Sequence, residues 1–215
     1  MLTSEEMDAL IGAAERVGAW LVADEIYRGA ELAGDEPTPT FWGRTDRAVI
    51  TSGLSKAFGM PGLRIGWVVA PPEVIARVWE RHDYTTLSPG AVSDRLTQVA
   101  MTPEVRERIL ARTRGIVRAN LPRLEAWMRE VPSLTFVAPE AGAICYAPYD
   151  LPIDPSELAE RIRLERSVLL VPGDMFGLDP AGAGRGLRFG YGFDMDHTLA
   201  GLARVAEELA LVRAA

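Results

Sequence analysis

The stretch VITSGLSKAFGMPGLRIGWVV, residues 49 to 69, constrains the fold of this chain more than any other part of it. Two apolar, β-rich runs flank a glycine-rich turn that carries one lysine, Lys56, and one arginine, Arg64. Lysine is rarely buried, and it is unusual at the mouth of a strand with a core-like sequence. A lysine in this position indicates an amine that is held out of water to act as a nucleophile in forming a Schiff base.

A second pattern lies upstream of the lysine. The apolar run in AWLVADEIYRG, residues 19 to 29, ends in Asp24, and Tyr27 follows three positions later. Taken alone, such a pair is typical of a turn at the end of a strand. Its position before Lys56 is what gives it functional meaning, because the same order occurs in a known family.

The two stretches resemble the signatures of the class I/II aminotransferases, fold type I enzymes that use pyridoxal phosphate (PLP). Around the family's Schiff-base lysine, small, aliphatic and hydroxyl residues precede the lysine, and glycine and arginine follow at set offsets. This sequence fills every one of those positions, with Gly53, Leu54, Ser55, Lys56, Gly59, Arg64, Ile65 and Gly66.

The resemblance implies a role for each residue of the site. Lys56 would form the Schiff base with PLP, and Asp24 would pair with the protonated pyridine nitrogen so that the ring acts as an electron sink. Tyr27 would hydrogen-bond the phenolic oxygen of the cofactor, and Ile26 would pack on the face of the ring. Arg64 would bind the cofactor phosphate.

One position departs from the family's usual pattern. Family members often have a serine three residues before the lysine that also contacts the phosphate, and Gly53 occupies that position here. The hydroxyl of Ser52 or Ser55 is the alternative donor to the phosphate. The departure bears on the serine contact and leaves the role of Lys56 unchanged.

Arg188 lies in the strand-like stretch LRFGYG. An arginine in such a strand usually extends along an exposed face. The family has an arginine here that binds the substrate α-carboxylate, a task that suits the planar guanidinium because it donates two parallel hydrogen bonds. The resemblance therefore assigns Arg188 to substrate binding, and we expect Arg185, in a glycine-rich loop, to face solvent.

Hydrophobic periodicity and turn residues predict alternating helices and strands. A capping box at Thr3 and Glu6 opens the first helix, which Gly18 ends, and Pro122 is expected to kink a long helix or to start a new one. The predicted strands are 19–23, 47–52, 64–70, 134–137, 142–147, the start of 167–177, and 186–192. The predicted later helices are 72–79, 91–101, 103–130, 155–164 and 195–213.

The fold class that follows is α/β. The resemblance implies part of the fold type I large domain, a mixed and mostly parallel sheet with helices, in residues 1–102. A connecting helix, 103–130, and a small α+β C-terminal domain, 131–215, would follow. The family has roughly half of its chain before this point, including the turn that cradles the phosphate. Met1 is therefore expected to be internal to a longer protein or the start of a split or decayed gene.

Composition narrows the classes of function. The net charge of −7 provides no basic surface for nucleic acid, and the single cysteine, Cys145, excludes an internal disulfide and a four-cysteine zinc site. His82 and His197 are far apart in sequence, so no metal site is expected. No apolar run reaches the ~18 residues of a membrane span, and no signal-peptide pattern is present, which favours a cytoplasmic protein without a membrane partner.

The implied activity is a PLP-dependent transfer of an amino group between an amino acid and a 2-oxo acid, through a Schiff base on Lys56, in a homodimer. Lyases, decarboxylases and cyclising synthases of fold type I share these residues, so those reactions stay open. A different alternative is a non-catalytic fragment that partners a separate N-terminal half.

Overall fold

The structure, a computed structural model, describes residues 1–179 and 182–214. The chain divides into two compact units, Met1–Arg114 with Glu140–Gly142, and Gly115–Pro139 with Ala143–Ala215. Its elements are α1 (Ser4–Arg16), β1 (Leu21–Asp24), β2 (Ala48–Gly53), β3 (Gly66–Val69), α2 (Pro72–His82), α3 (Ala91–Ala100), α4 (Pro103–Arg129), β4 (Ile144–Pro148), α5 (Pro155–Arg166), β5 (Val171–Pro172), β6 (Gly186–Gly190) and α6 (Met195–Ala214).

The first helix begins where the sequence predicts it. The Thr3 hydroxyl accepts a hydrogen bond from the Glu6 amide at 3.2 Å, and the Glu6 carboxylate accepts one from the Thr3 amide at 2.7 Å. This reciprocal capping box satisfies two amides that a helix start otherwise leaves unpaired. Met7 and Ile11 form the buried stripe of α1 and pack in one cluster with Ile50 of β2.

The first unit contains a mixed three-stranded sheet in the order β1-β2-β3. β1 and β2 are parallel, with Asp24 opposite Thr51, and β3 returns antiparallel to β2, with Gly66 opposite Gly53. The α/β class is therefore confirmed. Within the described residues the parallel pairing is that of β1 with β2, and the turn that contains Lys56 connects the antiparallel pair.

A single helix, α4, runs from Pro103 to Arg129 with Pro122 inside it. Proline lacks the amide proton that an interior helical position donates, which is why a kink or a new helix is expected there. Pro122 nevertheless starts no new helix. The boundary between the two units falls within α4, between Arg114 and Gly115.

The second unit contains an antiparallel three-stranded sheet in the order β4-β6-β5. Alternate residues of the central strand, Leu187 and Phe189, are fully buried, and α5 contacts β5, β6 and α6. The predicted strand at 134–137 was wrong, because only an isolated bridge between Leu134 and Tyr149 forms there. The division at residues 102 and 131 stays a prediction.

Candidate functional site

Parallel pairing brings the ends of β1 and β2 to the same edge of the first unit's sheet. Asp24 is the last residue of β1, and the lysine turn follows β2. Ligands of α/β sheets bind at the carboxyl ends of parallel strands. The two sequence motifs, which are separated along the chain, therefore meet at one edge because of this register.

Asp24 is exposed and held by two contacts to one of its oxygens. Its Oδ1 accepts hydrogen bonds from the Ile26 amide at 3.3 Å and from the Thr51 hydroxyl at 3.2 Å. Its Oδ2 accepts no hydrogen bond from the described residues. The carboxylate is thus oriented by the backbone of its own turn and by the neighbouring strand, with one oxygen available to a ligand.

The turn that carries Lys56 is fixed by buried neighbours on both sides. Leu54 and Ala57 are fully buried in one apolar cluster, while the Lys56 side chain is exposed. The Gly59 amide donates to the Lys56 carbonyl at 2.8 Å, and the Ala57 amide donates to the Ile26 carbonyl at 3.3 Å. The first bond closes the lysine turn, and the second connects it to the Asp24 turn.

The expectation that Lys56 is held out of water was wrong for this chain, whose described residues leave the side chain exposed. The amine also makes no hydrogen bond to any of them. The reason is that the turn buries its apolar members and directs the intervening polar residue outward. The amine is consequently available for a covalent bond or an ion pair.

Close packing explains the glycine that replaces the family's serine. A Cβ on Gly53 would lie 2.8 Å from the Ile65 carbonyl oxygen, 3.1 Å from the Gly66 Cα and 3.5 Å from the Ile26 Cδ1. A Cβ atom does not approach a backbone oxygen as closely as 2.8 Å, so β2 and the backbone before β3 are too close here for any larger residue. The half-buried Ile26 fills the adjoining space.

The two serines proposed as alternative phosphate donors differ in their surroundings. The Ser52 hydroxyl donates to the Glu25 carbonyl at 3.3 Å, so the protein itself uses that donor. Ser55 is half-buried beside Lys56, and its hydroxyl bonds to none of the described residues. Of the two, Ser55 is the one that could donate to a ligand.

Arg64 follows a single 3-10 turn, Pro61–Leu63, and has a left-handed backbone with φ of 55°. This conformation is unfavourable for residues other than glycine, and such strain concentrates at functional sites. The exposed guanidinium donates through Nη1 to the Pro61 carbonyl at 2.9 Å. Arg64 also lines a cavity of about 620 Å³ with His82, Thr86 and Ser88.

Tyr27 is half-buried in the turn after Asp24. A Cβ on Gly142, which has a φ of 81°, would lie 3.0 Å from the Tyr27 ring. The Ala30 amide donates to the Tyr27 carbonyl at 3.0 Å, which closes the turn. Asp24 and Tyr27 both line a second cavity of the first unit, about 510 Å³ in volume.

Three charged residues near this turn were not singled out from the sequence. The Glu25 carboxylate accepts from the Thr40 hydroxyl at 2.8 Å, and Arg28 donates through Nε to the Thr38 carbonyl at 2.6 Å. Glu31 is buried and accepts from the Gly29 amide at 3.0 Å. The signal that could have found them is the charge density of DEIYRGAEL, since these residues are next to a core strand.

The buried carboxylate of Glu31 has a lowered pKa. Burial alone raises the pKa, but hydrogen bonds from the Gly29 amide and from the Thr38 amide and hydroxyl outweigh that effect. An ionised Glu31 therefore ties residue 38 to the turn after Asp24. This contact shapes the loop that borders the second cavity.

Arg188 lies in the second unit, at the middle of the central strand β6, opposite Tyr146 on one side and Val171 on the other. It is half-buried, and its guanidinium makes no hydrogen bond or ion pair with the described residues. Such a guanidinium is free to bind an anion. Arg185, expected to face solvent, is instead half-buried and donates to the Leu151 carbonyl.

The structure thus groups six of the seven predicted site residues in the first unit and places Arg188 in the second. Among the described residues, no cluster of histidine, cysteine and acidic side chains could hold a metal ion. Cys145 is buried, which raises the pKa of its thiol to about 11 and makes it a poor nucleophile. No described helix has the length and apolar character needed to cross a membrane.

The chain is similar to known proteins in sequence and in fold. The family model described as "Aminotransferase class I and II" matches residues 1–205. Capreomycidine synthase of Streptomyces vinaceus is 31% identical over 165 residues, which cover 76% of this chain and 41% of that protein. Aspartate/prephenate aminotransferase of Thermus thermophilus is 30% identical over 177 residues, which cover 80% of this chain and 44% of that protein.

A crystal structure of a PLP-dependent aminotransferase from Streptococcus suis superposes with a TM-score of 0.87 and 26% identity, covering 99% of this chain and 54% of that one. The chain therefore spans about half of the length of the proteins that it matches. The match to the family model extends over residues 1–205, which include the stretches around Asp24 and Lys56. The chain belongs to the class I and II aminotransferase family.

Proposed function

We propose that this protein is a PLP-dependent aminotransferase, which transfers an amino group between an amino acid and a 2-oxo acid. The observation that carries the proposal is the parallel register of β1 with β2, because it brings Asp24 and the Lys56 turn to one edge of the sheet. The family match over residues 1–205 supports the same reaction.

The donor set at this edge fits PLP. The cofactor has an aldehyde, a ring nitrogen that binds a proton, and a phosphate, which call for an amine, a carboxylate and a guanidinium. Lys56 supplies the amine, Asp24 the carboxylate and Arg64 the guanidinium, and each keeps polar atoms that no described residue occupies. When bound, PLP supplies an electron sink for the substrate's Cα.

Each residue then has a defined task. Lys56 would hold the cofactor covalently, and its Nζ, when free, would take the proton from the substrate Cα. The Asp24 carboxylate would pair with the protonated ring nitrogen, and the Tyr27 hydroxyl would donate to the phenolic oxygen. Ile26 would pack on the ring face, and Arg64 would bind the phosphate.

Two further residues complete the assignment. Ser55 would donate its hydroxyl to the phosphate, in place of the family's serine, which the packing around Gly53 leaves no room for. Arg188 binds the substrate α-carboxylate, and its unpaired, half-buried guanidinium in the middle of β6 supports this task.

A second candidate is a synthase of the same family. The relative named capreomycidine synthase is 31% identical over 165 residues, which cover 76% of this chain. The residues that hold the cofactor are expected to be the same for either reaction, so the choice depends on how the substrate is oriented. Product analysis with the PLP-loaded full protein separates the two candidates.

We also propose that the working protein is a cytoplasmic homodimer. The chain spans about half of its relatives' length, and a complementing N-terminal half is the remaining partner hypothesis. Several large apolar side chains of the first unit are exposed, including Trp79, Tyr84 and Val92. A subunit contact would remove such side chains from water.

The experiment that tests cofactor binding exploits the composition of the chain. Lys56 is the only lysine among the 215 residues, so when a chain of these residues is prepared, its α-amine at Met1 is the other primary amine. We expect added PLP to give an absorption band near the border of the visible and ultraviolet ranges. Borohydride reduction followed by peptide mapping should find PLP attached to Lys56.

Lys56→Arg is the matched control, because it keeps the positive charge and removes the primary amine. The band and the attachment at position 56 should both be lost in this variant. A band of equal strength in the two proteins, with label confined to the amino terminus, would contradict the proposed cofactor site.

A further inference from the structure

Helix α4 supplies two side chains to the turn that carries Lys56, and both belong to the first unit. Leu110 is buried in one cluster with Leu54, Ala57 and Phe58, which are the apolar residues around the lysine. Two residues further along the helix, Arg112 donates through Nη2 to the Phe58 carbonyl at 3.2 Å. The helix therefore contacts the turn through one apolar and one charged side chain.

Glycines leave the space that these two side chains occupy. A Cβ on Gly59 would lie 2.9 Å from the Arg112 Nη2, and a Cβ on Gly29 would lie 3.0 Å from the Leu110 Cδ2. Gly29 follows the Asp24 turn, and Gly59 follows the Lys56 turn. Both turns thus end in a glycine that faces α4.

The carbonyl that accepts the hydrogen bond from Arg112 belongs to Phe58, two residues after Lys56. Phe58 lies between Ala57, whose amide donates to the Ile26 carbonyl, and Gly59, whose amide donates to the Lys56 carbonyl at 2.8 Å. Fixing the Phe58 peptide therefore fixes the amide that closes the turn over Lys56. A charged donor makes a stronger hydrogen bond to a carbonyl than a neutral donor does.

We propose that Arg112 is a positioning residue for Lys56, which it acts on through the Phe58 carbonyl. The inference rests on the proposed function only in taking Lys56 as the cofactor lysine. Because Arg112 touches neither the lysine side chain nor a ligand, its contribution is to keep the Lys56 amine in one orientation relative to Asp24.

The test compares three variants of the chain. Arg112→Met removes the donor, and Arg112→Lys keeps a positive charge with a different donor geometry. Arg108→Met is the matched control, since Arg108 is an exposed arginine of the same helix that bonds to none of the described residues. Thermal unfolding of all three identifies any general loss of stability.

The first measurement is hydrogen exchange, which needs no cofactor. In Arg112→Met we expect exchange in residues 54–60 to accelerate about three- to tenfold, since a hydrogen bond to a charged group is lost at a partly exposed site. Exchange in α1 should stay as in the unsubstituted chain. Arg108→Met should leave both segments unchanged, and Arg112→Lys should restore part of the protection.

The second measurement is the ratio of PLP attached to Lys56 and to the Met1 α-amine after borohydride reduction. Since the terminal amine is an internal reference, a general effect on reactivity cancels in the ratio. We expect the ratio to fall about three- to tenfold in Arg112→Met alone. Equal exchange at 54–60 in Arg112→Met and Arg108→Met would overturn the inference.

The two proposals fail in different ways. If PLP never attaches to Lys56 in the unsubstituted chain, the proposed cofactor site is wrong, and hydrogen exchange still decides the role of Arg112. If PLP attaches to Lys56 equally in all variants and exchange does not change, the cofactor site stands and the positioning role is wrong.

Discussion

The backbone at residue 53 leaves no room for a side chain. Its nearest neighbours are the Ile65 carbonyl oxygen and the Gly66 Cα, which belong to the adjacent backbone segment and cannot rotate away. The sequence alone shows a glycine in place of the family's serine, and it gives no reason for the exchange. The reason is the close approach of two strands, a tertiary contact that the sequence around position 53 does not encode.

Restoring the family's residue should therefore harm this chain. We expect Gly53→Ser to lower the free energy of unfolding by about 1–3 kcal/mol, as overpacking of a tight site does. Gly62→Ser is the control, because a Cβ at Gly62 would meet no atom within 4 Å, and its effect should stay within about 0.5 kcal/mol. Urea unfolding measures both, and equal stability of the two variants would contradict the packing argument.

Among the elements, α5 and α6 of the second unit are joined by a buried carboxylate. Glu208 of α6 is almost fully buried, and its two oxygens accept hydrogen bonds from Arg161 and, at 2.8 Å, from Arg166 of α5. Burial raises the pKa of this carboxyl, and the two arginines outweigh burial, so that the pKa lies below its usual value. The ionised carboxylate therefore stabilises the folded chain.

We expect Glu208→Gln to lower the free energy of unfolding by about 1–3 kcal/mol. The loss is smaller than that from breaking a fully buried ion pair, because both arginines are partly exposed. Since the folded-state pKa is depressed, this stabilisation is complete above the usual carboxyl pKa. It is lost as the pH falls through the folded-state pKa. The variant should lose less stability on acidification than the unsubstituted chain.

Glu207→Gln is the matched control, because Glu207 is exposed and pairs with Arg166 at 3.1 Å. An exposed pair contributes little, so the control should differ by less than about 0.5 kcal/mol. Denaturant unfolding over a range of pH measures all three proteins. If the free energy of unfolding changed with pH equally in Glu208→Gln and in the unsubstituted chain, the Glu208 carboxylate would not be the source of the pH-dependent stabilisation.

Local sequence patterns predicted most helices and strands of this fold. The expectations that were wrong depended on contacts between distant residues. The capping box, the strands around Lys56 and the helix from Pro103 depend on nearby residues, so they are readable from the sequence. The expected strand at 134–137 failed because strand formation needs a partner, and a single bridge to Tyr149 forms instead. Pro122 lies inside α4 and starts no new helix, and the expected kink stays a prediction.

For the chain taken together, the family and its motif residues could be predicted from the sequence, and the surroundings of those residues could not. The exposure of Lys56 and the bond from Arg112 to Phe58 involve residues that are distant in sequence. The role of Arg188 stays a prediction, because it lies in the second unit and the other six site residues lie in the first. No periodicity in the sequence carries such information.

The proposed dimer can be tested by substituting exposed apolar residues of the first unit. Trp79 is 71% exposed and Val92 is 75% exposed, in the first unit. If a subunit contact covers them, the double substitution Trp79→Glu and Val92→Glu should shift the sedimentation coefficient toward the monomer. Leu164→Glu, at an exposed leucine of the second unit, is the control. A monomeric unsubstituted chain would contradict the proposed dimer.

The left-handed backbone of Arg64 lowers the stability of the chain at the position whose guanidinium is proposed to bind the cofactor phosphate. Glycine there would relieve roughly 1–2 kcal/mol of conformational strain, and asparagine would relieve part of it, but both would remove the guanidinium. A directed-evolution experiment that rewards thermal stability alone would thus discard this arginine early. Selection for the proposed phosphate binding would instead keep the arginine and its conformational strain.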